Sequence, residues 1–445
     1  MYVLIKLACV QYEVTHSSLL AIATSYTPLI QPAGHLRASA IWLSIPPDDM
    51  RAHLLFISAL STAAEALAPR AAAAVDASTI QGKYMFGYQG WFRSPGKGLN
   101  THWSTNGGVP GPGNAVFDFF PDTSAYPSEC LFDTQFKYPN GTTAKLYDNT
   151  CAGVVDLHFK WMQQYGIDGV FVQRFYGALS DATFLTVLDL VQASAEKYGR
   201  VFAVEYDLSG GNSSQASVTN KIIPDYVNNI KKYTQSPAYV HQDGKPVVMA
   251  FGFGVAGRDL SASDAFNLVR DLQAEPAYVI LGTTNTWAAD VRNNNGLVNT
   301  YKLADAISPW TIGAYTDAGY LSYNLHWQQN DTTLTNSLGK GYVPVAWPGT
   351  SNYHLSNDLS HLDYFPRDNG SFYELQVNTV MKQKPLFIYT AMFDEVNEGT
   401  GSYACLKTNQ LPTNEKFVGI DEDFTSTNHY FELAQQLATS YRALQ

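Results

Sequence analysis

Several motifs that would identify an enzyme class directly are missing from the sequence. Neither CxxC nor HExxH occurs, and no other metal-ligand spacing is present, so we expect no structural or catalytic metal. The GxSxG motif that presents a nucleophilic serine is also absent, which leaves a serine hydrolase without its usual anchor. Beyond residue 68, no segment reaches the run of about 18 apolar residues that a membrane span needs. We therefore expect neither a cofactor nor a membrane-spanning helix.

Positive charge is also scarce in this chain. Lysine and arginine number 28 against 39 aspartate and glutamate residues, which gives a net charge of −11. Nucleic acids and anionic membranes bind basic surfaces, so this balance argues against both as partners. The 445 residues can build one large domain or two ordinary ones, and we expect a monomer.

The sequence contains patterns typical of a secreted protein. A short basic start at Met50, an apolar run and small residues at 66–68 together have the form of a signal peptide over residues 50–68. We interpret residues 1–49 as a spurious or disordered extension, the alternative being an N-terminal helix of the folded domain. The mature chain would then begin between Pro69 and Asp76, with the folded domain over residues 80–445. Four N-glycosylation patterns in polar, turn-like stretches agree with secretion: Asn140, Asn212, Asn330 and Asn369.

The cysteines predict one disulfide. Cys9 lies in the doubtful extension, and an odd number of remaining cysteines in a secreted protein implies one pair and one thiol. The long irregular stretch 93–150 is either functional or has substructure of its own. Because Cys130 and Cys151 flank its second part, we expect them to form the disulfide and Cys405 to remain a thiol.

Apolar runs of strand length alternate with amphipathic stretches along the chain. They are rich in Val, Ile, Phe and Tyr, as strands covered on both faces are. About eight strand–helix units with right-handed crossovers predict a (β/α)8 TIM barrel, with a doubly wound open sheet as the second possibility. The predicted strands are 84–88, 169–175, 201–206, 246–251, 277–281, 306–312, 342–346 and 386–392, and the helices include 154–165, 262–273, 372–382 and 428–442.

A glycine-rich segment at 252–257 matches the GxGxxG pattern of dinucleotide-binding proteins. That pattern requires a helix that opens on the glycines and an acidic residue at the end of the next strand. Here the helix is predicted to begin only after Ser261, with Asp264 completing a capping box. The next strand ends at Leu281 without an acidic residue. We therefore reject a nucleotide site.

The last predicted strand is followed by three carboxylates within five residues, Asp394, Glu395 and Glu398. Ionised carboxylates avoid such positions unless they are solvated or used, because removing them from water costs several kcal/mol. A helix N-terminus that favours acidic residues is the alternative explanation. Paired carboxylates are what the cleavage of a glycosidic bond requires, with one proton donor and one group acting at the anomeric carbon. We predict Glu395 and Glu398 as catalytic residues.

Carboxyl ends of barrel strands converge on one mouth, so residues at the other strand ends are candidates for substrate binding. They are acids, amides and aromatics with almost no lysine, which suits a neutral carbohydrate better than a phosphorylated substrate. Each tryptophan taken alone is as well explained by core packing. The predicted substrate-binding residues are Gln89, Trp91, Arg174, Tyr176, Glu205, Asp207, Asn285, Trp287, Trp310, Trp347 and Asp394.

The segment Phe393-Asp394-Glu395-Val396-Asn397-Glu398-Gly399-Thr400 resembles the acidic loop of endo-α-mannosidases in glycoside hydrolase family 99 and of the wider family 71/99-like group. The first strand, with His102 and Trp103 following it, is similar to that group's aromatic opening, which adds Trp103 to the predicted binding residues. The resemblance implies that Glu398 is the general acid/base. It implies that Glu395 deprotonates the substrate 2-hydroxyl, which attacks the anomeric carbon with retention. Asp394, Val396 and Asn397 depart from the family pattern, so the resemblance covers the two acids and leaves the identity of the sugar open.

Two functions remain at this point. The first is a secreted retaining glycosidase that acts on a poly- or oligosaccharide without a cofactor. The second is a catalytically silent carbohydrate-binding barrel, since a fold does not fix a function. The presence of both Glu395 and Glu398 favours the enzyme.

Overall fold

The computed structural model describes residues 73–97, 101–210, 218–258, 260–294, 296–420 and 426–445. The predicted signal peptide at 50–68, the extension 1–49 and the glycosylation position Asn212 lie outside these residues. In the described part of the chain, no helix is both long and apolar enough to cross a membrane. Three predicted glycosylation positions, Asn140, Asn330 and Asn369, are exposed, although Asn330 lies in a helix rather than in a turn.

Most strands follow the predicted apolar runs, and their ends agree with the predicted ends to within three residues. The strands are β1 Tyr84–Tyr88, β2 Leu131–Lys137, β3 Thr143–Tyr147, β4 Gly169–Phe175, β5 Val201–Asp207, β6 His241–Gln242, β7 Lys245–Phe253, β8 Tyr278–Thr283, β9 Ala306–Pro309, β10 Gly341–Tyr342, β11 Val345–Ala346 and β12 Ile388–Thr390. Runs of buried Val, Ile, Phe and Tyr form these strands because branched and aromatic side chains pack well on a pleated surface.

The helices lie between the strands, and the four predicted helices are among them. They are α1 Ala152–Gln164, α2 Thr183–Tyr198, α3 Thr219–Asp225, α4 Ala262–Ala274, α5 Trp287–Asn293, α6 Val298–Leu303, α7 Asp317–Tyr323, α8 Gln329–Ser337, α9 Tyr353–Ser356, α10 Ser371–Val380 and α11 His429–Arg442. Ser261 caps α4 as predicted, and its hydroxyl accepts a hydrogen bond from the Asp264 amide at 3.1 Å. The Asp264 carboxylate accepts from the Val218 amide at 2.7 Å, so it also ties α4 to α3.

The parallel strands close into a barrel. Neighbouring strands follow the order β10–β9–β8–β7–β5–β4–β1–β12–β11. β10 and β11 are two parts of the single segment 341–346, of which the first part pairs with β9 and the second with β12. Pro344 interrupts this segment because proline has no amide hydrogen to donate, while its carbonyl still accepts from the Tyr389 amide at 3.1 Å. The (β/α)8 prediction is confirmed, and the open doubly wound sheet is excluded by this closure.

The long connection after β1 has substructure of its own. β2 and β3 form an antiparallel hairpin within it, and a disulfide joins Cys130 to Cys151, the pair that the sequence predicts. Phe117 and Phe120 pack on Phe417, with ring centroids 5.5 and 5.2 Å apart, so this connection shares a small aromatic core with the chain that follows β12. Cys405 is a buried thiol whose Sγ lies 3.4 Å from the Tyr403 carbonyl oxygen.

Candidate active site

A cleft of about 530 Å³ opens at the carboxyl ends of the barrel strands. Its lining combines carboxylates, amides and aromatic rings contributed by most of the strands. The lining residues are Gln89, Trp91, Gln173, Phe175, Glu205, Asp207, Ser209, Phe251, Val255, Arg258, Thr284, Asn285, Trp310, Ile312, Gly313, Ala314, Met392, Glu395, Glu398 and Thr400. Among the described residues, no group of three or more His, Cys, Asp and Glu side chains is arranged to hold a metal ion.

The acidic loop after β12 is held by polar contacts on both sides. Asp394 is fully buried, and its carboxylate accepts hydrogen bonds from the backbone amides of Gln89 at 2.6 Å and Gly90 at 2.9 Å. Nη2 of Arg367 donates to the carbonyl oxygens of Gly399 and Gly401 at 2.8 and 2.7 Å. Residues 393–394 form a bend and residues 396–399 a turn, and no helix begins here, so the helix-dipole explanation for these acids is wrong.

Gly399 is required where the loop passes the segment after β11. Its φ is +68°, and a Cβ at this position would lie 2.5 Å from the Ser351 carbonyl oxygen and 2.6 Å from the Ser351 nitrogen. Both the left-handed conformation and the close backbone approach therefore favour glycine. The glycine brings Glu398 to the cleft while the loop stays packed against the barrel.

Glu395 is buried, with 3 % of its surface exposed, at the base of the cleft. The Gln89 side-chain amide donates to its Oε2, and no described residue donates to its Oε1. Burial raises the pKa of Glu395 well above its ordinary value, and the negative charges of Glu398, Asp394 and Asp207 raise it further. In the unliganded protein this carboxyl therefore holds a proton more tightly than a carboxyl in water.

Glu398 has a more open position. Its side chain reaches solvent through the cleft, while protein atoms surround it on the other sides. Partial desolvation raises its pKa, the charge of Asp207 raises it further, and the guanidinium of Arg258 opposes both. The roles that the family resemblance implies require a protonated Glu398 beside an ionised Glu395. The structure raises the pKa of both, and that of Glu395 more strongly, because Glu395 is deeper and has no cation beside it among the described residues.

A third carboxyl group, that of Glu205 at the end of β5, also lines the cleft. Its Oε2 accepts hydrogen bonds from Nε2 of Gln173 and from the hydroxyl of Tyr389, both at 2.8 Å. Burial raises the pKa of Glu205 to about 8, with the charge of Asp207 adding to the effect and the two hydrogen bonds opposing it. Glu205 is therefore mostly neutral at pH 7. Oε1 of Gln173 has no hydrogen-bond partner among the described residues.

Aromatic rings form two parts of the cleft wall. Trp91 stacks on His102 at 3.8 Å and on Phe175 at 4.6 Å, and its Nε1 has no partner among the described residues. Elsewhere Phe251 packs against Trp310, with ring centroids 4.9 Å apart. Aromatic faces and unpaired polar atoms in one cleft suit a ligand with apolar ring faces and hydroxyl groups.

The structure divides the sequence-predicted residues into two groups. The cleft brings together Glu395 and Glu398 with Gln89, Trp91, Glu205, Asp207, Asn285 and Trp310. Six residues predicted to bind substrate lie outside its lining: Trp103, Arg174, Tyr176, Trp287, Trp347 and Asp394. All six are buried, and side-chain hydrogen bonds tie Trp103, Arg174, Trp287, Trp347 and Asp394 to the protein.

Each residue of the second group has a structural contact that explains its position. Nε1 of Trp103 donates to the Tyr147 carbonyl oxygen, that of Trp287 to Asp331 and that of Trp347 to the hydroxyl of Tyr315. Arg174 forms a buried ion pair with Asp225, and the ammonium of Lys221 lies 4.7 Å from the centre of the Tyr176 ring. These contacts place the side chains in the protein core instead of the cleft.

Sequence reasoning missed several residues of the cleft, above all Gln173 and Arg258. Gln173 interrupts the apolar run of β4, and a polar residue inside a buried strand is a signal that could have identified it. Arg258 lies five residues beyond the end of β7, directly after the glycine-rich segment 252–257 that resembles a nucleotide motif. No local pattern distinguishes it from other loop arginines.

Comparison with known proteins supports the fold. No protein-family model matches the chain, and no curated protein matches it. A solved structure of the GH99 endo-α-mannosidase from Bacteroides thetaiotaomicron has a TM-score of 0.58 at 14% identity and covers 84% of this chain and 99% of that chain. The same enzyme in complex with Bis-Tris propane has a TM-score of 0.57, also at 14% identity, and covers 83% of this chain and 98% of that chain. The two proteins share a fold over most of their lengths.

Proposed function

We propose that this protein is a glycoside hydrolase that cleaves glycosidic bonds in a poly- or oligosaccharide with retention of configuration. The observation that carries the proposal is that Glu395 and Glu398 line one cleft at the carboxyl ends of the barrel strands. The shared fold with a GH99 endo-α-mannosidase supports it. The substrate is a carbohydrate, because the cleft offers carboxylates, amides and aromatic faces and, among the described lining residues, a single cation.

The two glutamates have complementary roles in this proposal. Oε1 of Glu395, which has no protein partner among the described residues, accepts the proton of the substrate 2-hydroxyl. The freed oxygen bonds to the anomeric carbon as the glycosidic bond breaks, and Glu398 protonates the departing oxygen. In the second half of the reaction, a water molecule attacks the anomeric carbon while Glu398 takes a proton from it. The bond between the 2-oxygen and the anomeric carbon breaks, and Glu395 returns its proton to the 2-oxygen. Two inversions at one carbon give retention.

The reaction begins from a pair that carries one proton in total, with Glu398 protonated and Glu395 ionised. Neighbouring carboxyl groups of like charge lose their protons in two steps, so the singly protonated pair exists over a range of pH. A substrate 2-hydroxyl that donates to Glu395 stabilises its ionised form, which leaves the proton on Glu398. Substrate binding thus places the proton on Glu398, whereas in the protein without substrate the higher pKa of Glu395 favours the proton on Glu395.

We also propose that the protein is secreted and glycosylated. Three exposed acceptor asparagines, the Cys130–Cys151 disulfide and the signal-like segment 50–68 support this assignment. N-terminal sequencing of the protein from culture medium should give a start between Pro69 and Asp76. Recovery of any peptide from residues 1–49 contradicts it.

The enzymatic proposal is tested by incubating the purified protein with fungal and plant polysaccharides and α-linked oligosaccharides. Release of reducing sugar by the wild type, and its loss in Glu395→Gln, is the expected result, with the anomeric form of the first product followed by NMR. Oligosaccharide binding without cleavage would instead favour a silent carbohydrate-binding barrel. A product of inverted configuration would contradict the proposed roles of the two glutamates.

A further inference from the structure

Four residues near the carboxyl ends of β5, β7 and β9 form one part of the cleft wall: Asp207 at the end of β5, Phe251 near the end of β7, Arg258 in the loop after β7, and Trp310 directly after β9. We call this part the β5–β9 wall. The charges of Asp207 and Arg258 both act on the carboxyl group of Glu398, so the wall lies beside the proposed acid/base. The reaction proposed above assigns no role to Arg258, Phe251 or Trp310.

A glycine-rich loop places Arg258 on this wall. Gly252 has a φ of +125°, and a Cβ there would lie 2.9 Å from Cδ of Arg258 and 3.0 Å from Cβ of Leu208. Both the positive φ and the close approach of these side chains therefore favour glycine at this position. The guanidinium carbon of Arg258 lies 5.0 Å from the centre of the Phe251 ring. This cation–π contact holds the arginine side chain in place.

The guanidinium retains hydrogen-bonding capacity. Nη2 of Arg258 lies 3.4 Å from Oδ1 of Asp207, and no side-chain hydrogen bond joins Arg258 to another described residue. Oδ1 of Asp207 also accepts from the amide and hydroxyl of Ser209. The side chains of Arg258 and Asp207 are 22% and 14% exposed, so a donor and an acceptor stand side by side at the cleft surface.

Trp310 adds an apolar surface to this polar pair. Phe251 packs against it at an interplanar angle of 49°, and Trp310 remains partly exposed in the cleft. A guanidinium, a carboxylate and an aromatic ring together match a pyranose ring, which has an apolar face and adjacent hydroxyls that both donate and accept. Because Asp207 stands beside Arg258, and the singly protonated Glu395–Glu398 pair keeps a negative charge in the same cleft, a sugar with a carboxylate or sulfate group would be repelled.

We infer that the β5–β9 wall is a second sugar subsite, next to the catalytic glutamates, that binds a neutral pyranose residue of the substrate chain. One hydroxyl of this residue donates to Asp207, an adjacent hydroxyl accepts from Arg258, and the ring packs on Trp310. The inference rests on the proposed function and extends it, because a substrate that uses the wall has at least two linked sugar residues. Specificity for the chain over its single unit would come from this wall.

The test compares a 4-nitrophenyl monoglycoside that the wild type cleaves with the tetrasaccharide of the same sugar. In Arg258→Met we expect the ratio of kcat/KM for the tetrasaccharide to that for the monoglycoside to fall at least about tenfold, since a hydrogen bond to a charged group is lost. Asp207→Asn should lower the same ratio. Arg270→Met is the matched control, because Arg270 is exposed on α4 and paired with Asp271.

The outcomes separate the two proposals. An equal loss on both substrates in Arg258→Met overturns the subsite and leaves the glycosidase intact. If the wild type cleaves no glycoside, calorimetric titration with α-linked mannose and glucose oligosaccharides of two to four residues replaces the kinetics. Weaker oligosaccharide binding in Arg258→Met then supports the subsite while the enzymatic proposal fails. Unchanged binding, or no binding to the wild type, overturns the subsite.

Discussion

The two ends of the barrel hold their polar side chains in opposite ways. At the amino ends of the strands, Asp168 accepts from the Tyr84 amide at 2.7 Å and pairs with Arg442 at 2.9 Å, and Arg200 donates to the carbonyl oxygen of Ile167. At the carboxyl ends, Oε1 of Gln89 and of Glu395 have no partner among the described residues. Buried polar groups with hydrogen-bond partners are compatible with a stable fold, whereas buried polar groups without partners reduce its stability and are available to a ligand.

Glu395→Gln should have the largest effect of any change at the carboxyl end. Glutamine keeps the size of the side chain but cannot accept the proton of the 2-hydroxyl, so kcat/KM should fall about 10³-fold or more. The fall should be similar for polysaccharides and for activated aryl glycosides, because this role does not depend on the leaving group. Steady-state kinetics with both substrates measures it. Near wild-type activity would move the catalytic acids elsewhere, with Glu205 and Asp207 as the next candidates.

Glu398→Gln should distinguish between substrates. Loss of the proton donor should reduce cleavage of a natural glycosidic bond about 10²- to 10⁴-fold. Aryl glycosides with good leaving groups need little protonation and should lose much less in the bond-breaking step. The kcat/KM ratio of the two substrate types reports this selectivity, and an unchanged ratio contradicts the assignment of Glu398 as the acid.

The stability cost of the carboxyl end should be visible as a pH dependence. Glu205 has a pKa of about 8 in the folded protein against an ordinary value of 4.5, so the folded state binds the extra proton between these values. Its contribution to the free energy of unfolding therefore falls by roughly 1.4 kcal/mol per pH unit from about pH 4.5 to 8. Glu205→Gln should remove this part of the slope. Urea unfolding of both proteins at pH 5, 6, 7 and 8 tests it, and parallel curves would contradict it.

The long connection after β1, which leaves the carboxyl end of the first strand, should depend on its disulfide. Replacing both Cys130 and Cys151 by serine should reduce the free energy of unfolding by about 3 kcal/mol, since a cross-link over 21 residues restricts the unfolded chain. Thermal unfolding with and without reductant provides the control. Reductant should destabilise the wild type and leave the double variant unchanged, and equal responses would contradict the prediction.

Asp168→Asn, at the amino end of the barrel, should have the smallest effect. It should lower the free energy of unfolding without changing catalysis, in contrast to the substitutions in the cleft. The hydrogen bond to Tyr84 weakens and the pair with Arg442 is lost, which should cost about 1–2 kcal/mol because Arg442 is 38% exposed and the ion pair is screened by solvent. The kcat/KM should remain at the wild-type value. A decrease in kcat/KM without a decrease in stability would break the distinction between the two ends.

The fold could be predicted because each strand of the barrel is a local apolar run bounded by helix or turn signals. Such runs contain the information for strand position, and the parallel arrangement follows from their alternation with helices. The interruption at Pro344 was not predicted, because it depends on pairing with the distant strands β9 and β12. The hairpin β2–β3 is local, but β2 alternates exposed polar residues with buried ones and so lacks the continuous apolar run that marks the barrel strands.

The candidate site was predicted in part, and the alternation of side chains along a strand explains much of the remainder. Successive residues of a strand point to opposite faces, so Gln173 faces the barrel interior and Arg174 faces the helices. Arg174 and Tyr206 both bind Asp225 outside the barrel, while Glu205 and Asp207 line the cleft. The buried tryptophans depend on partners far away in the sequence, such as Asp331 for Trp287, and no local pattern reveals them.

The hydrogen bonds from Gln89 and Gly90 to Asp394 have a consequence for biosynthesis. They join the first and last strand ends of the barrel across 305 and 304 positions of sequence. A nascent chain can fold its early strand–helix units before the last strand emerges, but Glu395 and Glu398 are then not yet present. The proposed catalysis would thus begin only when the barrel is complete, and enzymatic activity would then report that the chain has been completed and folded.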